Sequence, residues 1–346
     1  MVEILMAHSY GELRAMLEKM LKNYERLFGS QPKKYSTPLD KDDSPELNQT
    51  HLMDEQHTIY QSLIGALKLC VTLGRFDIAV AVMTMSSFRV APREGHLDRL
   101  KQIYGYLRKH PEGAIRFRTG IPPCEEMYTM PDYEWMHTVY GDCEEEVSPD
   151  LPQPKEKTVC MTSMVDANLM HCKVTGKSAT GILHLTNQTP FDWFSRKQST
   201  VETATYGSEF VAARIATEQV IELCYTLRSM GVPIEKYTWL LGDNKSVITS
   251  STIPHSSLSK RHQALAYHRV RSAVAAGFLK FCHIDGKQNP ADIMTKFLPY
   301  PVFCPLCSHC CSGRVKPRSN RHDSRGVSSD RVIWVPITWS WLSKEY

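Results

Sequence analysis

Asn289-Pro290-Ala291-Asp292-Ile293-Met294-Thr295-Lys296 is the stretch on which the reading of this chain turns. Asn is a favoured N-cap and Pro fits the first helical position, so the run predicts a final helix starting there. Asp292 then falls at its third position, where a helix N-terminus favours an ionised carboxylate. Just upstream, residues 278–284 read as a strand, and Asp285-Gly286 as a turn with Asp285 in a loop role. A carboxylate at a helix start is by itself an ordinary cap, so the neighbouring elements decide what it means.

Working back toward the N-terminus, the pattern gives a helix at about 263–276, then a strand at 237–241 that ends on Gly242-Asp243. A short helix starts near Lys245. Residues 205–230 form a long helix with Phe210, Ala213, Val220, Leu223, Cys224 and Leu227 on one face and Gly231 as its stop. Before it, 158–166, 179–185 and 191–194 are short β-branched or aromatic runs separated by turn residues, as in an antiparallel meander. The order strand, strand, strand, helix, strand, helix, helix, strand, helix is that of a mixed α/β domain.

Further upstream the period is helical. Leu13, Met16, Leu17, Met20, Leu21, Tyr24, Leu27 and Phe28 form one stripe ending at Gly29, and 30–51 is a Pro-containing, charged linker. Residues 60–107 suggest a helical hairpin or three packed helices with Ile64, Leu67, Ile78, Val80, Val82, Leu97, Leu100, Ile103 and Leu107 as core. The polar stretch 122–154, with Glu144-Glu145-Glu146 and several prolines, reads as a linker. Five segments follow: 1–45, 46–121, 122–154, 155–299 and a Cys-rich, basic tail, 300–346, expected to be disordered.

Composition sets the outer bounds. With 346 residues, 42% hydrophobic and 23% charged, the chain is neither collagen-like nor wholly disordered, and it is long enough for about two domains. Lys and Arg number 41 against 37 Asp and Glu, a net of +4 that names no polyanionic partner by itself. No stretch has the length of a membrane span and the first residues lack a signal-peptide pattern, so an intracellular protein without membrane partners is expected, in cytoplasm or nucleus. Eleven Cys, mostly scattered singly, suit reduced thiols.

This element order is similar to the RNase H fold. Met164-Val165-Asp166-Ala167 resembles the end of that family's first strand, Gly207-Ser208-Glu209-Phe210-Val211-Ala212-Ala213 its first helix, and Leu241-Gly242-Asp243-Asn244 the end of its fourth strand. With the Ala-Asp-Ile-x-Thr-Lys closure, the set resembles the RNase H domain of copia-type LTR retrotransposon polyproteins. Upstream, Tyr60-Gln61-Ser62-Leu63-Ile64-Gly65-Ala66-Leu67, Gly74-Arg75-Phe76-Asp77-Ile78-Ala79 and His96-Leu97-Asp98-Arg99-Leu100-Lys101 resemble the thumb and connection that follow a reverse transcriptase palm. The implied architecture is a mixed five-stranded sheet with flanking helices, preceded by a smaller, mainly helical thumb and connection region.

The resemblance implies an endoribonuclease that cuts the RNA strand of RNA–DNA hybrids with two Mg²⁺ or Mn²⁺ ions. Asp166 would bridge them, Glu209 and Asp243 would complete one ion's ligands, and Asp292 would serve the other. Four gathered carboxylates repel one another and raise at least one pKa unless hard divalent cations neutralise them, which suits this assignment. Taken singly, each is better read as a cap, turn or solvated residue. His283 stands where the family often carries a mobile His linked to product release; a strand-end His is otherwise structural. Arg196, Lys197, Lys245, Lys260 and Arg261 are candidate phosphate contacts.

The rival reading is a non-catalytic nucleic-acid-binding remnant of a degenerate element. Val2-Glu3-Ile4-Leu5-Met6 resembles the strand leaving the palm hairpin, with only Glu3 where paired acids would stand, so polymerase activity is not expected. A polymerase subunit or the remainder of a Pol polyprotein is the implied protein partner. Cys304, Cys307, Cys310 and Cys311 offer soft zinc ligands. Zinc sites usually combine two separated ligand pairs, however, so a reduced, unstructured thiol cluster is expected. Beyond it, Arg314, Lys316, Arg318, Arg321, Arg325 and Arg331 read as a disordered basic tail.

Overall fold

A computed structural model describes residues 2–312 apart from 53–56, 116, 132, 142, 144–146, 156 and 259. Glu144-Glu145-Glu146 and the basic stretch from Arg314 therefore lie outside the described residues. Two compact units emerge: Met1–Arg118 together with Leu298–Tyr346, and Thr119–Phe297.

The first unit is helical, with α1 (Val2–Phe28), α2 (His57–Thr72), α3 (Ala79–Ser86) and α4 (Glu94–Lys109), followed by the short strand β1 (Ala114–Ile115). Every core residue expected between Ile64 and Leu107 is buried. Val2–Met6 is helical rather than a strand, because a five-residue run with four apolar residues around Glu3 fits either state. The segment before α2 has little regular structure beyond a 3₁₀ turn, Pro45–Leu47, yet Leu39 is buried and Arg99 grips Asp43 with two hydrogen bonds of 2.7 and 2.5 Å. Between α2 and α3 the buried Arg75 guanidinium donates to both oxygens of Asp77 at 2.9 and 2.8 Å and to the His110 carbonyl, and Tyr106 Oη donates to Asp77 at 2.7 Å.

The second unit opens with α5 (Cys124–Met127) and then builds β2 (Met161–Asn168), β3 (Ala179–Thr186), β4 (Thr189–Lys197), α6 (Thr205–Ser229), β5 (Thr238–Gly242), α7 (Lys245–Thr252), α8 (Ala264–Ala275) and β6 (Leu279–His283). The sheet order is β4-β3-β2-β5-β6, with β2, β3 and β4 antiparallel and β5 and β6 parallel to β2. This is the RNase H-like arrangement: a meander extended on one side by parallel strands reached through helices. One face carries Val165, Ile182 and Leu240 against Phe210, Ala213 and Val220 of α6 and Val270 of α8.

Cys124 is buried on the other face with Cys160, Trp239, Leu241 and Cys282, while Trp135 and Tyr140 flank the guanidinium of Arg271 on α8 at 4.9 and 5.1 Å. Cys124, Trp135 and Tyr140 thus pack within this unit where a linker was expected, because these aromatic and Cys side chains find partners despite the acidic surroundings. The closing run also differs in detail: Pro290–Met294 is a 3₁₀ turn instead of a longer helix, capped by Asn289 as expected.

After Phe297 the chain rejoins the first unit through α9 (Tyr300–Cys310) and β7 (Cys311–Ser312), the latter paired antiparallel with β1. The expectation of disorder from residue 300 therefore fails for α9, where Phe303 and Leu306 are buried and the Phe303 ring meets Tyr106 edge-on at 5.9 Å. No helix among the described residues is long and apolar enough to cross a membrane.

Candidate active site

Asp166 sits on β2 opposite Gly181 of β3, and the parallel register that pairs Met164 with Leu241 puts Asp243, just past β5, at the same level of the sheet. Glu209 reaches the same point from the first turns of α6. Carboxylate oxygens of Asp166, Glu209 and Asp243 all lie within 4.8 Å of one another.

Asp292 joins through a different route. The 3₁₀ turn that carries it is fastened to the sheet at three places: Asn289 Nδ2 donates to the Val165 carbonyl (2.9 Å), Ser195 Oγ to Met294 (2.6 Å) and Asn168 Nδ2 to Thr295 (3.1 Å). Asn289 also accepts from the Ala291 N–H, so one buried side chain caps the turn and ties it to the strand bearing Asp166. Gly181 makes this approach possible, since a Cβ there would lie 2.6 Å from Thr295 Cγ2 and 2.8 Å from the Ala291 carbonyl oxygen.

Two residues outside the expected set complete the cluster. Lys296 Nζ donates to Asp292 Oδ1 at 2.7 Å and to Asp166 Oδ1 at 3.0 Å, while the Thr295 hydroxyl donates to Asp166 Oδ2. The Thr-Lys pair in the closing motif was the available signal, but it carries no role until the fold brings it over Asp166.

Electrostatics follow from this crowding. Burial, then the charges of Asp166 and Asp243, push the Glu209 carboxyl up to about 9. Burial and Asp166 push Asp292 up to about 7 against the pull of Lys296, and the same two causes raise Asp243. Burial opposes the charge on Lys296, but Asp166 and Asp292 outweigh it and hold its ammonium above the usual range. The donors are hard oxygens carrying more negative charge than the one ammonium answers, a set that fits Mg²⁺ or Mn²⁺.

An open cleft of about 620 Å³ lies over the cluster, lined by Asn168, Thr205, Asn244 and Lys245 as well as Glu209, Asp243 and Lys296. Of the expected phosphate contacts, Lys245 alone borders it. Exposed Arg196 near the end of β4 lies over the Phe194 ring, beside Lys197, and Arg261 opens the 3₁₀ turn before α8 with Lys260 just ahead of it. His283 is the exposed last residue of β6, paired with Gly242 beside Asp243. Asp285 accepts from the Lys287 N–H at 2.8 Å, a local turn role. On α9, burial pushes the Cys310 thiol up to about 12.

The chain resembles known transposon proteins in sequence. The chain is 25% identical over 262 residues to a retrovirus-related Pol polyprotein from transposon RE1 of Arabidopsis thaliana, and 27% over 244 residues to that from transposon TNT 1-94 of Nicotiana tabacum. Its relatives are transposon Pol polyproteins. These alignments take in 75% and 70% of the chain, and the chain spans about 15% of the length of those relatives, so the copia-type resemblance extends through both units. No family model matches. Among solved structures, the N-terminal RNase H domain of a Mycobacterium tuberculosis protein overlays 44% of this chain and 98% of its own at TM-score 0.32 and 11% identity. An RNase H1 from Halobacterium salinarum gives 38% and 87% at TM-score 0.27 and 12% identity. At that level the strand order, rather than the overlay, defines the fold.

Proposed function

We propose that the Thr119–Phe297 unit is an RNase H-type endoribonuclease cutting the RNA strand of an RNA–DNA hybrid. The observation that carries the reading is the convergence of Asp166, Glu209 and Asp243, drawn from β2, α6 and the end of β5, within 4.8 Å. Structural caps and turn residues have no reason to meet at such cost in charge repulsion. Asp166, Glu209 and Asp243 would hold one divalent ion, and Asp166 with Asp292 a second. The chemistry such ions supply when bound is activation of a water and neutralisation of the leaving oxygen in phosphodiester displacement.

The chain's own groups have separate tasks. Thr295 fixes the rotamer of Asp166, Asn289 fixes the turn bearing Asp292, and Lys245 offers a phosphate contact on the cleft rim. His283, exposed beside Asp243, stands where it would help product release. A hybrid is distinguished from duplex DNA by 2′-hydroxyls across a wide minor groove. The remainder of a Pol polyprotein, or a polymerase subunit, is the protein partner that the relatives suggest.

Incubation of the full chain with end-labelled hybrid and Mg²⁺ tests the reading. Cleavage of the RNA strand is expected, abolished by Asp166→Asn. Hybrid that binds with steep salt dependence but stays intact in both Mg²⁺ and Mn²⁺ would identify a non-catalytic binding scaffold instead.

A further inference from the structure

The carboxylate cluster is charged asymmetrically. On one side Asp166 faces Glu209 and Asp243, on which the Lys296 charge acts through space. On the other side Asp166 faces Asp292, and there Lys296 Nζ contacts both, at 3.0 and 2.7 Å. A surface lysine four residues beyond an aspartate ordinarily pairs with that aspartate alone and stays solvated. Lys296 instead reaches across 130 positions of sequence to a buried carboxylate, with its own side chain only 32% exposed.

We propose that Lys296 is a positioning residue that occupies the Asp166–Asp292 cation position with its ammonium, so that a divalent ion enters the Asp166–Glu209–Asp243 side first and the Asp292 side only as Lys296 withdraws. This rests on the metal-dependent reading of the cluster. An ammonium and a divalent cation seek the same carboxylate oxygens, and both cannot stand between Asp166 and Asp292. The lysine stem is flexible and partly exposed, so withdrawal toward the cleft it already lines needs no backbone movement. Meanwhile the ammonium keeps Asp292 close to Asp166, which two like charges would otherwise oppose.

Binding of Mn²⁺ to the full chain, followed by loss of the free-ion electron paramagnetic resonance signal and by calorimetry, tests this without any turnover. The wild type is expected to bind two ions, the second about tenfold or more weaker than the first, and Lys296→Met to tighten that second event about tenfold. Lys296→Arg keeps the charge and should leave the second event weak. If the Met variant does not fold, Lys296→Gln, which retains a hydrogen-bond donor without the charge, is expected to show the same tightening. A second ion bound no more tightly, or lost, in the neutral variants overturns the role of Lys296. Wild-type protein that binds no Mn²⁺, or binds it equally after Asp166→Asn, overturns the metal-dependent reading itself and this inference with it.

Discussion

Gly181 faces Asp166 across the β2–β3 ladder, and the space its missing side chain leaves is filled by Thr295, Met294 and Ala291. Gly181→Ala would press a methyl into that interface at distances no relaxed structure tolerates, so the 3₁₀ turn must lift from the sheet. The expected loss is about 1–3 kcal/mol of stability, as for other overpacked sites, together with weaker Mn²⁺ binding because Asp292 and Lys296 move with the turn. Urea unfolding and calorimetry on the variant check both; unchanged values would show that the turn adapts freely. The residue scale is also where sequence reading was most uneven. Asp166, Glu209, Asp243 and Asp292 could be picked out because their motifs flank recognisable elements. Gly181 and Lys296 could not, since the importance of each depends on a neighbour more than a hundred positions away.

At the scale of elements, long periodic segments were legible and short apolar ones were not. The α6 stripe and the five strands fall within a few residues of their expected bounds, because burial on one or both faces leaves a clear period. Val2–Met6 and α9 misled for the opposite reason: four apolar residues around Glu3, or a Cys-rich run with Pro305 inside it, have no period of their own. The connection between α2 and α3 shows what holds a short element in place. There Asp77 answers the guanidinium of a fully buried Arg75 and accepts from Tyr106 of α4, and burial opposed by Arg75 leaves its carboxyl below the ordinary range. Asp77→Ala strands that buried charge, so a loss of about 3–5 kcal/mol is expected by denaturant titration. A change under about 1 kcal/mol would mean that water reaches Arg75 once its partner is removed.

For the molecule as a whole, the carboxylate cluster makes stability depend on pH. Glu209 moves from an ordinary 4.5 to about 9 on folding, and Asp292 from 3.8 to about 7. Between those limits the folded chain holds more protons than the unfolded one, so stability must fall as pH rises. The thermal midpoint in EDTA is therefore expected to drop between about pH 5 and about pH 9, and Glu209→Gln to flatten part of that drop. Saturating Mg²⁺ should reduce it as well, by stabilising the ionised carboxylates; a midpoint insensitive to both changes would show that the cluster does not titrate in this range. A second consequence lies in the order of the chain. Because the first unit takes a helix, α9, from beyond residue 297, whereas the second unit is one continuous stretch, the two cannot mature in the order in which they leave the ribosome. The catalytic candidate can complete its core while its upstream neighbour still waits for Phe303 and Leu306 to be synthesised. Removal of the chain beyond Phe297 would thus be felt in the first unit, exposing the Tyr106 face that Phe303 of α9 meets while sparing the carboxylates.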